Sequence, residues 1–233
     1  MHLPKLTLVL LPGMDGTGEL FADFIEATGL PCQIVRYSPD KSLSYAELLR
    51  IVRSAAPTSD PFVVVAESFS TPLAIQFAAA NPPNLKGLVL CAGFATSPIR
   101  GPHRKICSLF APLLFRLPLP GFVDGIFLLG KNASASLHAR VIAALSAIQP
   151  KVLSARLRAI RSCDARGALQ QIAVQTLYIQ AQHDRLVPTT CIKEMREIKP
   201  DMNVATLAGP HLILQREPEQ AAQIIANFIK QLV

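Results

Sequence analysis

A serine, an aspartate and a histidine stand far apart in this chain, each just beyond a run that reads as a buried strand. Ser68 ends the apolar run Phe62-Val63-Val64-Val65-Ala66-Glu67 and is followed at once by a helical pattern opening on Thr71-Pro72. A strand that turns sharply into a helix at a serine pushes the hydroxyl clear of the sheet. Residues two before and two after such a serine face each other across the turn. Here they are Ala66 and Ser70, both small. Asp184 lies in His183-Asp184-Arg185-Leu186-Val187-Pro188, and His211 in Gly209-Pro210-His211. Such a set can do nucleophilic chemistry. A base takes the proton as the hydroxyl attacks, a carboxylate holds the base in one tautomer, and backbone donors receive the charge that develops on the carbonyl oxygen.

Taken singly, each residue has a plain structural explanation. A boundary serine is commonly an N-cap, an aspartate before Val-Pro a turn residue, and a loop histidine an exposed polar group. The order serine, aspartate, histidine along the chain is what joins them. His183 adjoins Asp184, but chain neighbours at a strand end point in opposite directions, so it reads as a loop residue. Asp164 is the second-choice acid and Cys91 reads as core. The loop Pro12-Gly13-Met14-Asp15-Gly16-Thr17-Gly18 brings backbone close to a ligand through its glycines. The N–H groups of Met14 and Phe69 are the expected oxyanion donors. The loop has neither G-x-G-x-x-G nor a phosphate-loop lysine, which argues against phosphate binding.

Alternating elements must position these residues. Apolar runs predict strands at Leu6–Leu11, Gln33–Tyr37, Phe62–Ala66, Leu85–Ala92, Val174–Ala181 and Asn203–Leu207. Helical spacing predicts helices at Glu19–Ala27, Ser44–Ala55, Thr71–Ala80, Thr189–Ile198 and Pro218–Leu232. Strand and helix alternate, which argues a parallel sheet covered on both faces. The alternation breaks between the fourth and fifth strands, where the chain is basic, proline-broken and without a clear strand. Between Pro98 and Gln170 stand eleven Lys/Arg and two acids, so the net charge of +7 belongs wholly to this insert. Its apolar stretch Ile106 to Gly130 is cut by Pro112, Pro118, Pro120, Arg116 and Asp124, a poor transmembrane span. Leu6 to Leu11 is too short for a signal-peptide core. Five scattered cysteines without a CxxC pair fit reduced thiols in a cytoplasm.

The loop after the first strand, Ala66-Glu67-Ser68-Phe69-Ser70, Asp184-Arg185-Leu186-Val187-Pro188 and Pro210-His211 together resemble the α/β-hydrolase superfamily over nearly the whole chain. Within it the chain is similar to small capped serine esterases, including carboxylesterases and pimeloyl-acyl-carrier-protein methyl ester esterases. The Pro12–Gly18 loop also resembles that of plant acyltransferase-like esterases. Two departures stand out. Ala66 and Ser70 replace the glycines of G-x-S-x-G, and no β-hairpin precedes the first strand.

The resemblance implies a three-layer α/β fold with a mostly parallel sheet of six or so strands. The core would be 1–97 and 168–233, with 98–167 an inserted helical cap. It implies a serine carboxylic-ester hydrolase acting through an acyl-enzyme on short to medium acyl esters, with no cofactor and no metal. Alternatives are an esterase or thioesterase for carrier-protein-bound acyl chains, an acyltransferase, and a non-catalytic ligand-binding hydrolase fold. Cap residues Leu113, Phe115, Phe122 and Phe127 are expected along an acyl pocket. The stripe with Arg156, Arg158 and Arg161 reads as a solvated face, as a docking face for an acidic acyl carrier protein, or as a contact for an anionic membrane. Nucleic acid is not expected, since no aromatic residues interleave with the charge.

Overall fold

The computed structural model describes residues 6–99 and 128–232. Its first half runs β1 (Thr7–Leu11), a 3-10 turn (Glu19–Phe21), α1 (Ala22–Thr28), β2 (Cys32–Ile34), α2 (Tyr45–Ala55), β3 (Phe62–Glu67), α3 (Thr71–Ala79) and β4 (Leu85–Cys91). The described part of the insert holds α4 (Ala135–Ser146), α5 (Pro150–Ser162) and α6 (Arg166–Gln170). The chain then closes with β5 (Gln175–Ala181), α7 (Thr189–Ile198), β6 (Asn203–Leu207), α8 (Ile213–Arg216) and α9 (Pro218–Lys230).

Six strands form one sheet in the order β2-β1-β3-β4-β5-β6, and every pairing is parallel. Alternate residues of each strand face opposite layers. Val9, Leu11, Val64 and Ala66 point to one core with Leu48 and Val52 of α2, Leu73 of α3 and Met195 of α7. Leu8, Leu10, Val63 and Val65 point to the other, with Phe24 of α1 and Ile225 and Phe228 of α9. The central strands β1 and β3 are therefore apolar on both faces, as a parallel sheet between helices requires.

Boundaries differ from expectation in three places. The second strand, expected over Gln33–Tyr37, covers only Cys32–Ile34. The first helix begins as a 3-10 turn before becoming α1. The short helix α8 was not expected. It is separated from α9 by Glu217, whose φ of −133° and ψ of 56° are non-helical, because the proline that follows disfavours helical backbone at the residue before it.

Helix α2 starts on a full capping box. The Ser44 hydroxyl accepts from the Glu47 N–H at 3.3 Å, and the Ser44 N–H donates to Glu47 Oε2 at 2.8 Å. Ser44→Ala is expected to cost about 1 kcal/mol, a fall of roughly 2–4 °C in Tm for a domain of this size. Thermal unfolding followed by circular dichroism checks this.

Cap helices α4 and α5 sit between β4 and β5 in the chain and pack back onto the core. Leu137, Val141 and Ala144 of α4 meet Leu20, Leu129 and Leu212. Arg140 of α4 forms a two-pronged ion pair with Asp23 of α1.

Candidate active site

Strand β3 runs apolar to Ala66, and the chain reverses at Ser68, whose φ of +48° lies in the left-handed region. A side chain at positive φ is strained by about 1–3 kcal/mol. The strain lifts the hydroxyl to the sheet rim, at the head of the 3-10 turn Ser68–Ser70 that leads into α3. Alanine at 66 and serine at 70 serve in place of glycines because the turn tolerates both. The Ser70 hydroxyl also gains partners: it bonds the Pro12 carbonyl and meets the Tyr37 hydroxyl at 2.8 Å. The elbow is thereby tied to the loop after β1.

The three distant residues converge. His211 Nε2 lies 2.8 Å from Ser68 Oγ, and His211 Nδ1 lies 2.8 Å from Asp184 Oδ2. The other oxygen of Asp184 accepts the N–H groups of Leu186 at 2.8 Å and Val187 at 2.9 Å. Those two donors fix the carboxylate, and the carboxylate fixes the ring with its Nδ1–H toward Asp184, leaving Nε2 free to accept from Ser68. The side chains of His211 and Asp184 are only 4% and 7% exposed, so the relay is shielded from water. The His211 loop is itself held, since the Leu212 N–H donates to the Leu128 carbonyl at 3.0 Å. His183 is exposed.

Four participants were not anticipated: Glu67, Gln215, Asp15 and Tyr37. Glu67, directly before the nucleophile, is fully buried and accepts from Gln215 Nε2 at 3.2 Å. Its Oε1 and the Oε1 of Gln215 have no partner. Burial, and next the nearby Asp15 carboxylate, push the Glu67 carboxyl up to about 8, against the pull of the Gln215 hydrogen bond. The signal was present in the sequence as the one charged residue in an otherwise apolar strand.

Glu67 thus keeps its proton in the folded state at neutral pH, whereas the unfolded chain releases it near the ordinary carboxyl value. Its contribution to stability is full below that value and is lost as pH rises toward 8. Glu67→Gln is expected to remove this alkaline decline, worth on the order of a few kcal/mol. Urea unfolding of both proteins at about pH 5 and about pH 9 reads it. Identical pH dependence in the two would refute the assignment.

The basic stripe needs correction. Arg156 is 2% exposed, and its guanidinium points inward to the carbonyls of Met14, Asp15 and Ser38. It therefore offers no charge to a partner. Helical geometry explains the inversion: Arg156 lies four residues from Val152 and four from Ile160, on the stripe α5 turns toward the core. Arg158 is exposed and Arg161 half-buried on the same helix. Asp164 is not a second acid for the site, because it pairs with Arg166 at 2.6 Å. Met14 is half-buried in the turn after β1, and Phe69 is buried beneath Ser68. Leu113, Phe115, Phe122 and Phe127 lie outside the described residues. Among the described residues no group of His, Cys, Asp and Glu gathers as a metal site. No helix among them is long and apolar enough to cross a membrane.

A parallel sheet in this order, a nucleophile elbow at its rim and an inserted helical cap make up the α/β-hydrolase fold, and the triad within it is that of a serine hydrolase acting on esters. No protein-family model matches the chain. It is related to the pimeloyl-[acyl-carrier protein] methyl ester esterase of Xanthomonas oryzae pv. oryzae (strain MAFF 311018), at 26% identity over 262 residues, covering 98% of each. Among solved structures it is similar to a lipase-esterase related protein from Clostridium acetobutylicum (TM-score 0.79, 14% identity, 97% of this chain and 95% of that one). It is equally similar to a bromoperoxidase from Bacillus anthracis (TM-score 0.80, 14% identity, 98% and 92%). Names that differ this much on one backbone show that the fold alone does not choose the substrate.

Proposed function

We propose that this chain hydrolyses the carboxylic ester of a short or medium acyl chain, and that the chain is presented on an acyl carrier protein. The observation that carries the hydrolase reading is the unbroken relay Ser68–His211–Asp184, with both hydrogen bonds at 2.8 Å. The carrier rests on the sequence relatives, which act on a carrier-borne methyl ester by name, and on the exposed cations Lys151 and Arg158 of α5.

In the reaction His211 takes the Ser68 proton as Oγ bonds to the ester carbon. The carbonyl oxygen becomes anionic and is received by the N–H groups of Met14 and Phe69. As the tetrahedral centre collapses, His211 returns the proton to the leaving alcohol, and an acyl-enzyme remains. Water, deprotonated by His211, then attacks the acyl carbon and frees the acid and Ser68. Two features support Met14 as a donor. It follows the β1 strand at the rim, and its turn is closed by the Gly16 N–H on the Gly13 carbonyl at 3.1 Å. Scattered cysteines, free at Cys32, Cys91 and Cys163, fit a reducing compartment such as the cytoplasm.

The test is hydrolysis of p-nitrophenyl esters of graded chain length beside a methyl-ester acyl carrier protein, with Ser68→Ala as control. Turnover of neither substrate above the control would sink the reading. Docking is tested by Arg158→Glu combined with Arg161→Glu. The pair is expected to raise KM for the carrier-borne ester roughly tenfold, with a weakened salt dependence, and to leave the small ester unchanged. An equal effect on both substrates would mean that this face does not dock a carrier.

A further inference from the structure

We propose that Arg156 is a positioning residue: from cap helix α5 its guanidinium grips the Gly13–Gly16 turn, so the oxyanion donor at Met14 depends on the seating of the cap. The proposal rests on the hydrolase reading above.

Met14 is held on both sides. The peptide joining Gly13 to Met14 carries the Met14 N–H, and its carbonyl accepts from the Gly16 N–H at 3.1 Å. The next two carbonyls, of Met14 and Asp15, accept from Arg156 Nη1 at 2.7 and 2.8 Å. Nη2 donates to the Ser38 carbonyl at 3.0 Å. One buried guanidinium therefore spans two loops. A rigid planar fork can do this and a lysine ammonium cannot.

The turn is shaped around the cation. Gly16 has φ +68°, and a Cβ there would stand 2.7 Å from both Nη1 and Nη2. Below the turn the Tyr37 ring lies 5.9 Å from Arg156 Cζ, and the Tyr37 N–H donates to the Gly16 carbonyl at 2.8 Å. Anchoring of the cap has its own device, the Arg140–Asp23 pair on α4. Arg156 does something Arg140 does not: it takes the two carbonyls, of Met14 and Asp15, that directly follow the Met14 amide. A shift of α5 withdraws the guanidinium, leaves those carbonyls without their donor, and frees the turn to rotate its N–H away from the anionic oxygen.

Arg156→Lys and Arg156→Met test this on the whole protein, with Ser68 counted by fluorophosphonate labelling. Per labelled serine, kcat for p-nitrophenyl butyrate is expected to fall roughly 10–100-fold, most in the methionine variant, with KM within about twofold. Affinity for an alkyl trifluoromethyl ketone should fall by the same factor, since its adduct with Ser68 Oγ places an anionic oxygen on the same donors. Millimolar guanidinium ion should return part of the kcat of Arg156→Met. A raised KM with kcat unchanged overturns the proposal. So does lost kcat with undiminished ketone affinity, and so does failure of both variants to fold, which would make Arg156 a general structural residue. Wild-type protein that takes up the fluorophosphonate yet turns over no ester defeats the hydrolase reading instead. The ketone affinities still decide on Arg156.

Discussion

Ser68→Ala lowers ester turnover by roughly 10³–10⁶-fold while the fold and ligand affinity remain. The loss is large because no other group can form the acyl bond. His211 is 2.8 Å from the serine oxygen and from nothing else that could attack in its place. Some catalysis over water survives, since the oxyanion donors still stabilise a carbonyl attacked directly by solvent. Stability should change little, because alanine keeps the strained φ at this position. Steady-state kinetics and thermal unfolding on the same sample separate the two effects. Full activity in Ser68→Ala would end the acyl-enzyme account.

Asp184→Asn is expected to cost about 10⁴-fold in kcat with little change in Tm. Asparagine keeps an oxygen for the amides of Leu186 and Val187, which Asp184 Oδ1 now serves, so the acid loop stays in place. Its NH₂ then faces His211 Nδ1 in place of Oδ2. A donor there requires Nδ1 to accept, which moves the ring proton to Nε2 and points it at Ser68. The base becomes a donor at the atom where it must accept. Asp184→Ala should be worse for stability, because the amides of Leu186 and Val187 lose their partner. A kcat for Asp184→Asn within tenfold of wild type would show that the carboxylate only shapes the loop.

Much of this site was legible before any fold was known. The elbow was readable because a strand, a small-flanked serine and a helix start follow one another directly in the chain. Asp184 and His211 were readable because each closes a strand, and all strands of a parallel sheet end at one rim. Local patterning thus carried global information. Arg156 was not legible as a buried group, because charge along the chain does not say which face of a helix carries it. At spacing four from Val152 and Ile160 it shares their face. The Glu67–Gln215 pair was missed for another reason. Its members are 148 positions apart, and no periodicity in either segment points to the other.

By itself the sequence determined the order of elements, the parallel sheet and the three reacting side chains, because hydrophobic period and turn chemistry act between near neighbours. Only the tertiary structure decided what the buried charges do. Whether a cation meets water or a carbonyl depends on which distant segment covers it. That is why Arg156 belongs to the turn after β1 and Glu67 keeps its proton beside the nucleophile.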